Sequence, residues 1–420
     1  MTNAGPGHPS PERPLLQAPV FADAAPSPAG TGRRAAVPAP APAKRPRLYV
    51  LDGMRLVAAL TVMLFHYVGK PAGWEQVWRG APDVLMPALH GVAIYGWIGV
   101  ELFFLISGFV ICMSCWGKRP QDFFVSRVVR LYPAYWVAVL LTTAVVTTAG
   151  YAFTTAKDLT PRTVIANLTM IQTPLGAPSV DPSYWTLWVE MLFYVLFAGV
   201  VAMGLTYRRV VAFCGIWTFV AAIAPTVDLP LLDTLTQPSY APFFTAGVTM
   251  YLMYRFGPNL LLWGMLGFSW MVAQYRLKGT VDMYQQWLPQ HISFTVAAAL
   301  MTLCFLLVLA ASLGFFNWIQ WRWLTVAGAL TYPVYLLHQE IGLSAIHWLR
   351  RSMEPIPTLL VVMPSILVLA YLVHKLVENP LSNALKRGLT TAFATVTKVD
   401  QESRARVEAQ ARNTGGGPAR

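Results

Sequence analysis

The sequence predicts an all-α integral membrane protein with about ten transmembrane helices, and three observations support this fold class. Of the 420 residues, 55% are hydrophobic and only 12% are charged, whereas a soluble domain carries about 25% charged residues. The mean hydropathy is +0.49. Apolar runs long enough to cross about 30 Å of hydrocarbon recur along the chain. These features exclude an ordinary soluble enzyme, a disulfide-rich secreted scaffold and a mainly disordered protein.

The two ends of the chain differ in composition from the part between them. Residues 1–47 hold eleven prolines and no apolar run long enough for a signal-peptide core. We therefore expect a disordered, Pro- and Ala-rich cytoplasmic arm there rather than a cleaved leader. Residues 48–382 are predicted to form the membrane domain. Residues 383–420 are predicted to form a cytoplasmic tail, a short amphipathic piece followed by a disordered end.

Between these ends, ten apolar segments are long enough, or nearly so, to cross the bilayer as helices. They are approximately 49–69, 91–116, 132–153, 184–205, 210–227, 239–256, 259–275, 293–316, 324–348 and 357–378. An even number of crossings places both termini on the same side of the membrane.

The orientation is predicted from an uneven distribution of Lys and Arg over the loops. With ten crossings, and counting the loops and flanking residues from Arg33 to Arg387, one side holds fifteen Lys and Arg residues and the opposite side holds eight. Loops rich in positive charge stay in the cytoplasm. Both termini are therefore expected to be cytoplasmic, in a multi-pass protein of the inner (plasma) membrane.

The net charge of +12 does not indicate a nucleic-acid partner. The basic residues lie between apolar runs and in the chain ends, where they fix orientation and contact anionic membrane lipids. All four cysteines lie in apolar stretches. Although Cys112 and Cys115 form a CxxC pair, no second ligand pair accompanies them, so packing cysteines are predicted and a metal site is not.

Ionisable residues inside apolar segments are the candidate functional residues, because each costs roughly 2.5 to 3.5 kcal/mol at the bilayer centre. The first segment carries Asp52, Arg55 and His66. The eleven-residue spacing brings Arg55 and His66 to nearly the same helix face, about 16 Å apart along the axis. A snorkelling arginine and a packing histidine are the alternative interpretation. Two such residues on one face favour a lined cavity, in which Asp52 can pair with Arg55 and the imidazole can act as a general base.

Two further motifs lie in and after the second segment. Glu101 stands inside an apolar run ahead of Ser107, where a carboxylate must be protonated or matched to a base. In FFVSRVVRLYPAYW, Arg127 and Arg130 share one helix face just before Tyr132. This arginine pair is interpreted either as a positive-inside anchor or as a cytoplasmic clamp that holds phosphate groups.

The later segments add carboxylates and histidines. Glu190 lies among aromatic residues, including Trp185, which are typical either of a membrane interface or of stacking on a sugar ring or an adenine. The ninth segment holds His338 in a helix that a proline is predicted to bend. His374 and Glu378 are four residues apart and are predicted to form a structural pair.

Six of these motifs occur in an order and spacing that resemble the membrane-bound acyltransferase 3 family. They are RLYVLDGMRLVAALTVMLFHY, GVELFFLISGFVI, FFVSRVVRLYPAYW, YWTLWVEMLFY, LTYPVYLLHQ and LVENPLS. The resemblance covers about residues 47–382. It implies a ten-helix O-acyltransferase of the kind that modifies sugars, envelope polysaccharides, glycolipids and macrolides. At Glu101 the family often has Asp, so the charge is kept.

The resemblance also implies roles for individual residues. His66 is expected to be catalytic, as a general base or an acyl relay, with Glu190 orienting it or binding the acceptor. Arg55, Arg127 and Arg130 are expected to bind the acyl donor. Further polar residues of the cavity or its supporting structure are Asp52, Glu101, Ser107, Tyr132, Trp185 and His338. No permanently bound cofactor is expected; acyl-CoA is the co-substrate, and the acceptor is a hydroxylated glycoside or glycan, either a macrolide or other secondary metabolite or a cell-envelope glycan.

A proton-coupled secondary transporter or flippase is the alternative function, because buried His, Arg and Glu residues also serve as proton relays and anion sites. Transporters commonly show internal symmetry and Gly- or Pro-broken helices in corresponding halves. Neither feature is visible in this sequence, which favours the acyltransferase.

Overall fold

The computed structural model describes residues 48–69, 75–149, 159–227, 229–288 and 290–414. Within these ranges every regular element is helical, which confirms the all-α fold class. The predicted N-terminal arm, residues 1–47, and residues 415–420 of the predicted tail lie outside the described residues.

Seventeen α-helices occupy the described part of the chain. They are α1 (Tyr49–Leu64), α2 (Glu75–Trp78), α3 (Pro82–Leu85), α4 (Pro87–Ala93), α5 (Ile98–Cys115), α6 (Pro120–Ala149), α7 (Pro161–Leu168), α8 (Trp185–Ala202), α9 (Tyr207–Ile223), α10 (Pro230–Thr236), α11 (Ala241–Phe256), α12 (Leu260–Gln285), α13 (Phe294–Ser312), α14 (Trp323–Leu337), α15 (Gln339–Leu349), α16 (Pro355–Val373) and α17 (Asn379–Thr414). A π-helical turn, Phe65–Gly69, extends α1, and a second one, His374–Glu378, joins α16 to α17. A 3-10 turn, Pro182–Tyr184, precedes α8.

Seven helical segments of the described chain are long and apolar enough to cross a membrane, which indicates a multi-pass membrane protein. They are Tyr49–Gly69, Pro87–Cys115, Pro120–Thr148, Pro182–Ala202, Tyr207–Thr226, Phe294–Ser312 and Pro355–Glu408. The other three predicted crossings are also helical, as α11, α12 and the pair α14 and α15, but α11 and α14 have only 16 and 15 residues. The count of about ten crossings therefore stays a prediction, as does the cytoplasmic position of both termini.

Helix α6 begins earlier than the sequence predicts. The predicted third crossing starts at residue 132, whereas α6 starts at Pro120 and continues through Pro133. A proline inside a helix removes one backbone hydrogen bond, and neighbouring helices of a membrane bundle compensate for that loss. Arg127 and Arg130 consequently lie on the helix that crosses the membrane, about two turns and about one turn before Pro133, respectively.

The prediction of a disordered C-terminal end is wrong as far as Thr414, because α17 runs without a break through 36 residues. Oppositely charged side chains four residues apart stabilise an exposed helix. Two such pairs occur in α17: Lys398 with Glu402, at 3.9 Å, and Arg404 with Asp400, at 3.0 Å.

Helices α5 and α11 form the densest contact of the described bundle. Every residue of α11 from Ala241 to Met253 is buried. A Cβ atom at Gly108 of α5 would overlap the carbonyl oxygen of Phe244, and one at Gly247 of α11 would overlap the carbonyl oxygen of Leu105. Small residues of this kind let two membrane helices approach closely. The pair therefore gives the site a rigid support.

Helix α1 fits against α14 and α5 by the same principle. Gly328 on α14 leaves room for the side chain of Asp52, which is only 8% exposed. Gly99 on α5 lies against the carbonyl oxygen of Ala58. These contacts fix the rotation of α1 and hence the directions in which Arg55 and His66 point.

Candidate active site

A cavity of about 330 Å³ lies between α1, α5, α6, α8 and α14. It is lined by the guanidinium groups of Arg55, Arg127 and Arg130 and by the carboxylate of Glu190. Its remaining lining is mainly apolar and aromatic with a few hydroxyl groups: Val100, Phe103, Phe104, Ser107, Val110, Ile111, Ser126, Leu131, Thr186, Leu187, Tyr194, Thr331, Tyr332 and Tyr335. The structure thus brings the three predicted donor residues together. We call this space the arginine cavity.

Glu190 is held by two hydroxyl groups in the arginine cavity. Ser107 Oγ donates to Glu190 Oε1 at 2.9 Å, and the Tyr194 hydroxyl donates to the same oxygen at 2.6 Å. Tyr194 lies one helical turn after Glu190, so helix geometry alone brings these two side chains together. The charges of Glu190 and Asp52 act on the Arg55 guanidinium. Glu190 therefore offsets part of the positive charge of the cavity.

The two arginines of α6 have different partners. Arg130 Nη1 donates to Glu378 Oε1 at 3.1 Å. His374 Nδ1 lies 2.8 Å from Glu378 Oε2, which confirms the predicted pair between these two residues. Arg127 donates to two serine hydroxyl groups instead, and it has no carboxylate partner among the described residues. Arg127 is thus the arginine of this pair that is better placed to bind an anion.

His66 forms a hydrogen-bonded pair with His338. Nε2 of His338 lies 3.0 Å from Nδ1 of His66, with ring centroids 5.0 Å apart. His66 belongs to the π-helical turn after α1, and such turns are frequent at functional sites. His338 stands at the junction between α14 and α15 and is 1% exposed. The two residues are 272 positions apart in the sequence.

The hydrogen bonds assign the proton positions in both rings. Nδ1 of His338 lies 2.7 Å from the carbonyl oxygen of Tyr335, and because a carbonyl can only accept, this nitrogen carries the proton. Nε2 of the neutral His338 ring is then an acceptor, so Nδ1 of His66 donates to it. The neutral His66 ring consequently has its lone pair on Nε2, the atom that a general base would use.

The helix break at His338 is produced by residues from the segment before α8. In a continuous helix, the backbone N–H of Glu340 would donate to the carbonyl oxygen of Leu336. Here that N–H donates to Asp181 Oδ2 at 3.2 Å, and the Tyr184 hydroxyl donates to Leu336 O at 3.2 Å. Burial raises the pKa of the Asp181 carboxyl, and its hydrogen bonds oppose that effect. The Glu340 N–H and the Leu336 carbonyl, which lack their usual helical partners at the break, therefore both have side-chain hydrogen bonds. These bonds hold His338 at the break.

Tyr335 lies between the arginine cavity and the histidine pair. It lines the cavity, and its ring centroid is 5.5 Å from that of His338. Thr186 Oγ1 donates to its hydroxyl at 2.9 Å. Arg55 lines the cavity while His66 does not, and eleven residues of helix separate them by about 16 Å. The structure therefore places Arg55, one of the predicted donor residues, and His66, the predicted base, at two levels of α1 and its π-helical extension.

Glu101 lies apart from the arginine cavity, beside aromatic rings. Its side chain is 6% exposed, and its Oε2 atom has no hydrogen-bond partner among the described residues. Tyr240 and Tyr284 lie within range of its charge. Trp97 stacks on Tyr284 with ring centroids 4.9 Å apart. We call Glu101 and these three aromatic residues the Glu101 cluster.

Tyr132 and Trp185 have supporting positions. The Tyr132 hydroxyl donates to the carbonyl oxygen of Thr169 at 3.1 Å. Trp185 packs against Tyr240, with ring centroids 5.2 Å apart. Neither residue lines the arginine cavity.

Three tyrosines that build the site were not among the predicted site residues. Tyr194 could have been found from its position four residues after Glu190. Tyr335 precedes His338 by three residues, but its place between the two parts of the site had no sequence signature. Tyr67 donates to the carbonyl oxygen of His338 at 2.7 Å across 271 residues, a contact that only the packing of α1 against α14 creates.

Comparisons with known proteins identify relatives of the chain. The family model described as an acyltransferase domain matches residues 48–375. Exopolysaccharide production protein ExoZ of Rhizobium meliloti (strain 1021) is 31% identical over 157 residues, 35% of this chain and 48% of that protein. Acyltransferase MdmB of Streptomyces mycarofaciens is 28% identical over 196 residues, 43% of this chain and 45% of that protein. Putative peptidoglycan O-acetyltransferase YrhL of Bacillus subtilis (strain 168) is 24% identical over 332 residues, 69% of this chain and 48% of that protein.

The matched part of the chain contains the site. Matches to these three relatives span about half of each relative's length, and no solved structure gives a significant match. The family match, by contrast, extends over more than three quarters of the chain and includes α1 to α16. These helices carry the arginine cavity and both histidines of the pair. The chain therefore belongs to this acyltransferase family.

Proposed function

We propose that this protein is a membrane-embedded O-acyltransferase that moves an acyl group from acyl-CoA to a hydroxyl group of a glycoside or glycan. Membership of the acyltransferase family supports the reaction class. The observation that carries the proposal is the 3.0 Å contact between His338 Nε2 and His66 Nδ1. This contact assigns the basic lone pair of His66 to Nε2, as a general base acting on a hydroxyl group requires.

The arginine cavity supports acyl-CoA as the donor. A guanidinium group binds phosphate oxygens with two parallel hydrogen bonds, which favours arginine at phosphate sites. Arg127 donates to the hydroxyl groups of Ser114 and Ser126 and has no carboxylate partner among the described residues, whereas Arg130 is engaged by Glu378. We assign the diphosphate of CoA to Arg127 at the start of α6, on the cytoplasmic side in the predicted orientation. The thioester would then extend past Tyr335 towards His66.

The proposed reaction consists of one proton removal, one attack and one bond cleavage. His66 Nε2 takes the proton of the acceptor hydroxyl while the oxygen attacks the thioester carbon. The tetrahedral intermediate collapses, the C–S bond breaks, and the CoA thiolate leaves with the proton that His66 had taken. Throughout the reaction, Nε2 of His338 accepts the hydrogen bond from Nδ1–H of His66. This bond stabilises the His66 ring while that ring carries two protons. An acyl relay through His66 would use the same Nε2 atom.

A hydroxylated glycoside or glycan is the proposed acceptor. One relative is named for exopolysaccharide production and another for peptidoglycan O-acetylation. In this chain, the ring of Phe65, the neighbour of His66, lies 5.5 Å from that of Tyr284 in the Glu101 cluster. Aromatic faces stack on sugar rings, and a carboxylate accepts hydrogen bonds from sugar hydroxyl groups. Both an envelope glycan and a glycosylated secondary metabolite present such groups.

The test is release of CoA by the purified protein in lipid nanodiscs. Acetyl-CoA is supplied with three acceptors in turn, a methyl glycoside, a macrolide and a peptidoglycan fragment, and a thiol reagent reports free CoA. We expect release with at least one acceptor. His66→Ala should lower the rate by about a hundredfold or more, because it removes the general base. His291→Ala, at an exposed histidine outside the site, is the control and should leave the rate unchanged.

Two outcomes would contradict the proposal. Near-normal turnover of His66→Ala would show that another group takes the proton. An absence of CoA release with every acceptor, together with proton-dependent solute uptake by proteoliposomes, would instead support the alternative of a proton-coupled transporter or flippase.

A further inference from the structure

A second concave region lies where α17 crosses the beginning of α6. Its volume is about 820 Å³, and its walls are the α5–α6 connection, the first turns of α6 and the middle of α17. The lining side chains are mostly charged or polar, and they include Lys118, Arg119, Asp122, Ser126, Lys386 and Lys398. We call this region the α17 groove.

The α17 groove carries an excess of positive charge. Four of its lining residues are basic and one is acidic, so its formal charge is +3. Asp122 pairs with Arg119 at 3.1 Å, and Lys398 pairs with Glu402 at 3.9 Å. Lys118 and Lys386 form no ion pair with any described side chain. These two ammonium groups stand on opposite walls, one before α6 and one on α17, and both are available to an anion.

Specific contacts hold α17 in place along the groove. Ser382 Oγ donates to the carbonyl oxygen of Val129 at 3.0 Å. Further along, the rings of Phe124 and Phe393 meet edge to face with centroids 6.1 Å apart. These two contacts are about three helical turns apart on α17, so they hold the first half of this groove wall against α6.

The groove and the arginine cavity meet at Ser126. This residue lines both spaces. Its hydroxyl oxygen accepts from Arg127 Nη2 at 2.8 Å and from Nε at 3.2 Å. A molecule that reaches from the cavity into the groove would therefore pass the Arg127 guanidinium at the point where the two spaces join.

We propose that the α17 groove binds the 3′-phosphate of CoA, with Lys118 and Lys386 as its cationic ligands. The inference rests on the proposed function and identifies the part of the donor that lies outside the arginine cavity. CoA carries its 3′-phosphate on the adenosine ribose, beyond the diphosphate assigned to Arg127. A phosphate monoester carries nearly two negative charges at neutral pH. It therefore matches a groove with an excess of positive charge and two lysines that lack ion pairs.

The experiment compares CoA with 3′-dephospho-CoA, which lacks only this phosphate. Binding of each to the full-length protein is measured by calorimetry in nanodiscs of uncharged lipid at low and physiological salt. We expect wild type to bind CoA about tenfold more tightly than 3′-dephospho-CoA, with a preference that weakens as salt rises. The double variant Lys118→Ala/Lys386→Ala should lose most of this preference while its affinity for 3′-dephospho-CoA stays unchanged.

Arg387→Ala is the matched control, because Arg387 is the exposed neighbour of Lys386 and does not line the groove. It should keep the wild-type preference. Equal binding of CoA by wild type and the double variant would overturn the inference while leaving acyl-CoA as the donor. Failure of wild type to bind CoA at all would overturn both this inference and the donor assignment.

A lipid headgroup offers the same phosphate chemistry, so a second measurement distinguishes the sources. Phosphatidylglycerol is added to the nanodiscs, and lipid association is followed by native mass spectrometry. If the double variant loses bound phosphatidylglycerol but keeps its preference for CoA over 3′-dephospho-CoA, the groove is a lipid site and the inference is wrong. Unchanged lipid association combined with loss of the preference would support it.

Discussion

The arginine cavity and the histidine pair are held together in different ways. In the cavity, side chains bond to side chains: two hydroxyl groups hold Glu190, and Glu378 holds Arg130. Around the histidines, most hydrogen bonds involve the backbone. His66 lies against the carbonyl oxygen of Val62, and Nδ1 of His338 donates to another carbonyl. A hydrogen bond between side chains joins the two rings to each other.

This difference matches the two tasks that we assign. A cavity that binds a charged donor must remain accessible, and the Arg130 side chain is 37% exposed. A general base must present one nitrogen in a fixed direction, and His338, which holds the ring of the proposed base His66, is 1% exposed. Backbone carbonyls of packed helices move little, so they fix a ring more firmly than mobile side chains do. Changes at the histidines should therefore affect turnover, and changes in the cavity should affect binding or stability.

After His66→Ala, the largest effect on turnover is expected at His338, as a positioning residue. His338→Ala removes one acceptor for the Nδ1 proton of His66. The proton can then move to Nε2, and Nε2 loses the lone pair with which it would act as the base. We expect kcat to fall by about ten- to a hundredfold with little change in the KM for acyl-CoA. The carbonyl oxygen of Val62 still accepts from Nδ1, which makes the loss smaller than that caused by His66→Ala.

His338→Gln separates orientation from packing. The glutamine carbonyl oxygen can accept the same hydrogen bond, so this variant should recover part of the lost kcat. If His338→Ala and His338→Gln lose kcat equally while both remain folded by size-exclusion chromatography, the assigned role of the histidine pair is wrong.

An intermediate effect is expected on stability, and it distinguishes the two arginines of α6. Arg130→Ala leaves Glu378, with its side chain 5% exposed, without one of its two partners. Removing one partner of a buried polar group costs about 1 to 3 kcal/mol, so the thermal unfolding midpoint should fall. Arg127→Ala leaves no buried carboxylate unpaired, so it should keep the midpoint and weaken CoA binding instead. Equal loss of stability in both variants would favour the interpretation of both arginines as structural anchors.

The smallest effect is expected at Glu190, which the family resemblance implies is a catalytic residue that orients His66 or binds the acceptor. Glu190→Gln retains a carbonyl oxygen that can accept from Ser107 and Tyr194 but removes the negative charge beside the arginines. The KM for acyl-CoA should fall by about threefold because the cavity becomes more positive, and kcat should change little. A loss of kcat near a hundredfold would place Glu190 in the chemistry instead.

Sequence periodicity predicted the local parts of the site. The pair of His374 and Glu378 lies one helical turn apart and forms as predicted. The relative positions of Arg55 and His66 on the first helix also follow from their spacing, because helix geometry fixes them without any knowledge of the packing partners. The polar character of His338 could be recognised because ionisable residues are rare in apolar segments.

Contacts between distant segments could not be predicted in this way. The bond from Arg130 to Glu378 joins residues 248 positions apart. The sequence indicates that each of these side chains needs a partner, but several carboxylates and bases could have satisfied that need. The continuous helix α17 was also missed, because a mixed-charge segment lacks the apolar run by which the other helices were found.

From the amino-acid sequence alone we could conclude that the chain belongs in a membrane, that it is helical, and which few ionisable residues lie inside its apolar segments. Composition and local periodicity are enough for this, because the cost of burying charge makes such residues stand out. The pairing of His66 with His338, the position of Glu190 opposite the arginines and the packing of α17 beside α6 follow from the three-dimensional fold. These contacts depend on which helices approach each other closely. Glycines such as Gly328 and Gly108 permit the close approach, but they occur at no regular spacing in the sequence that would predict it.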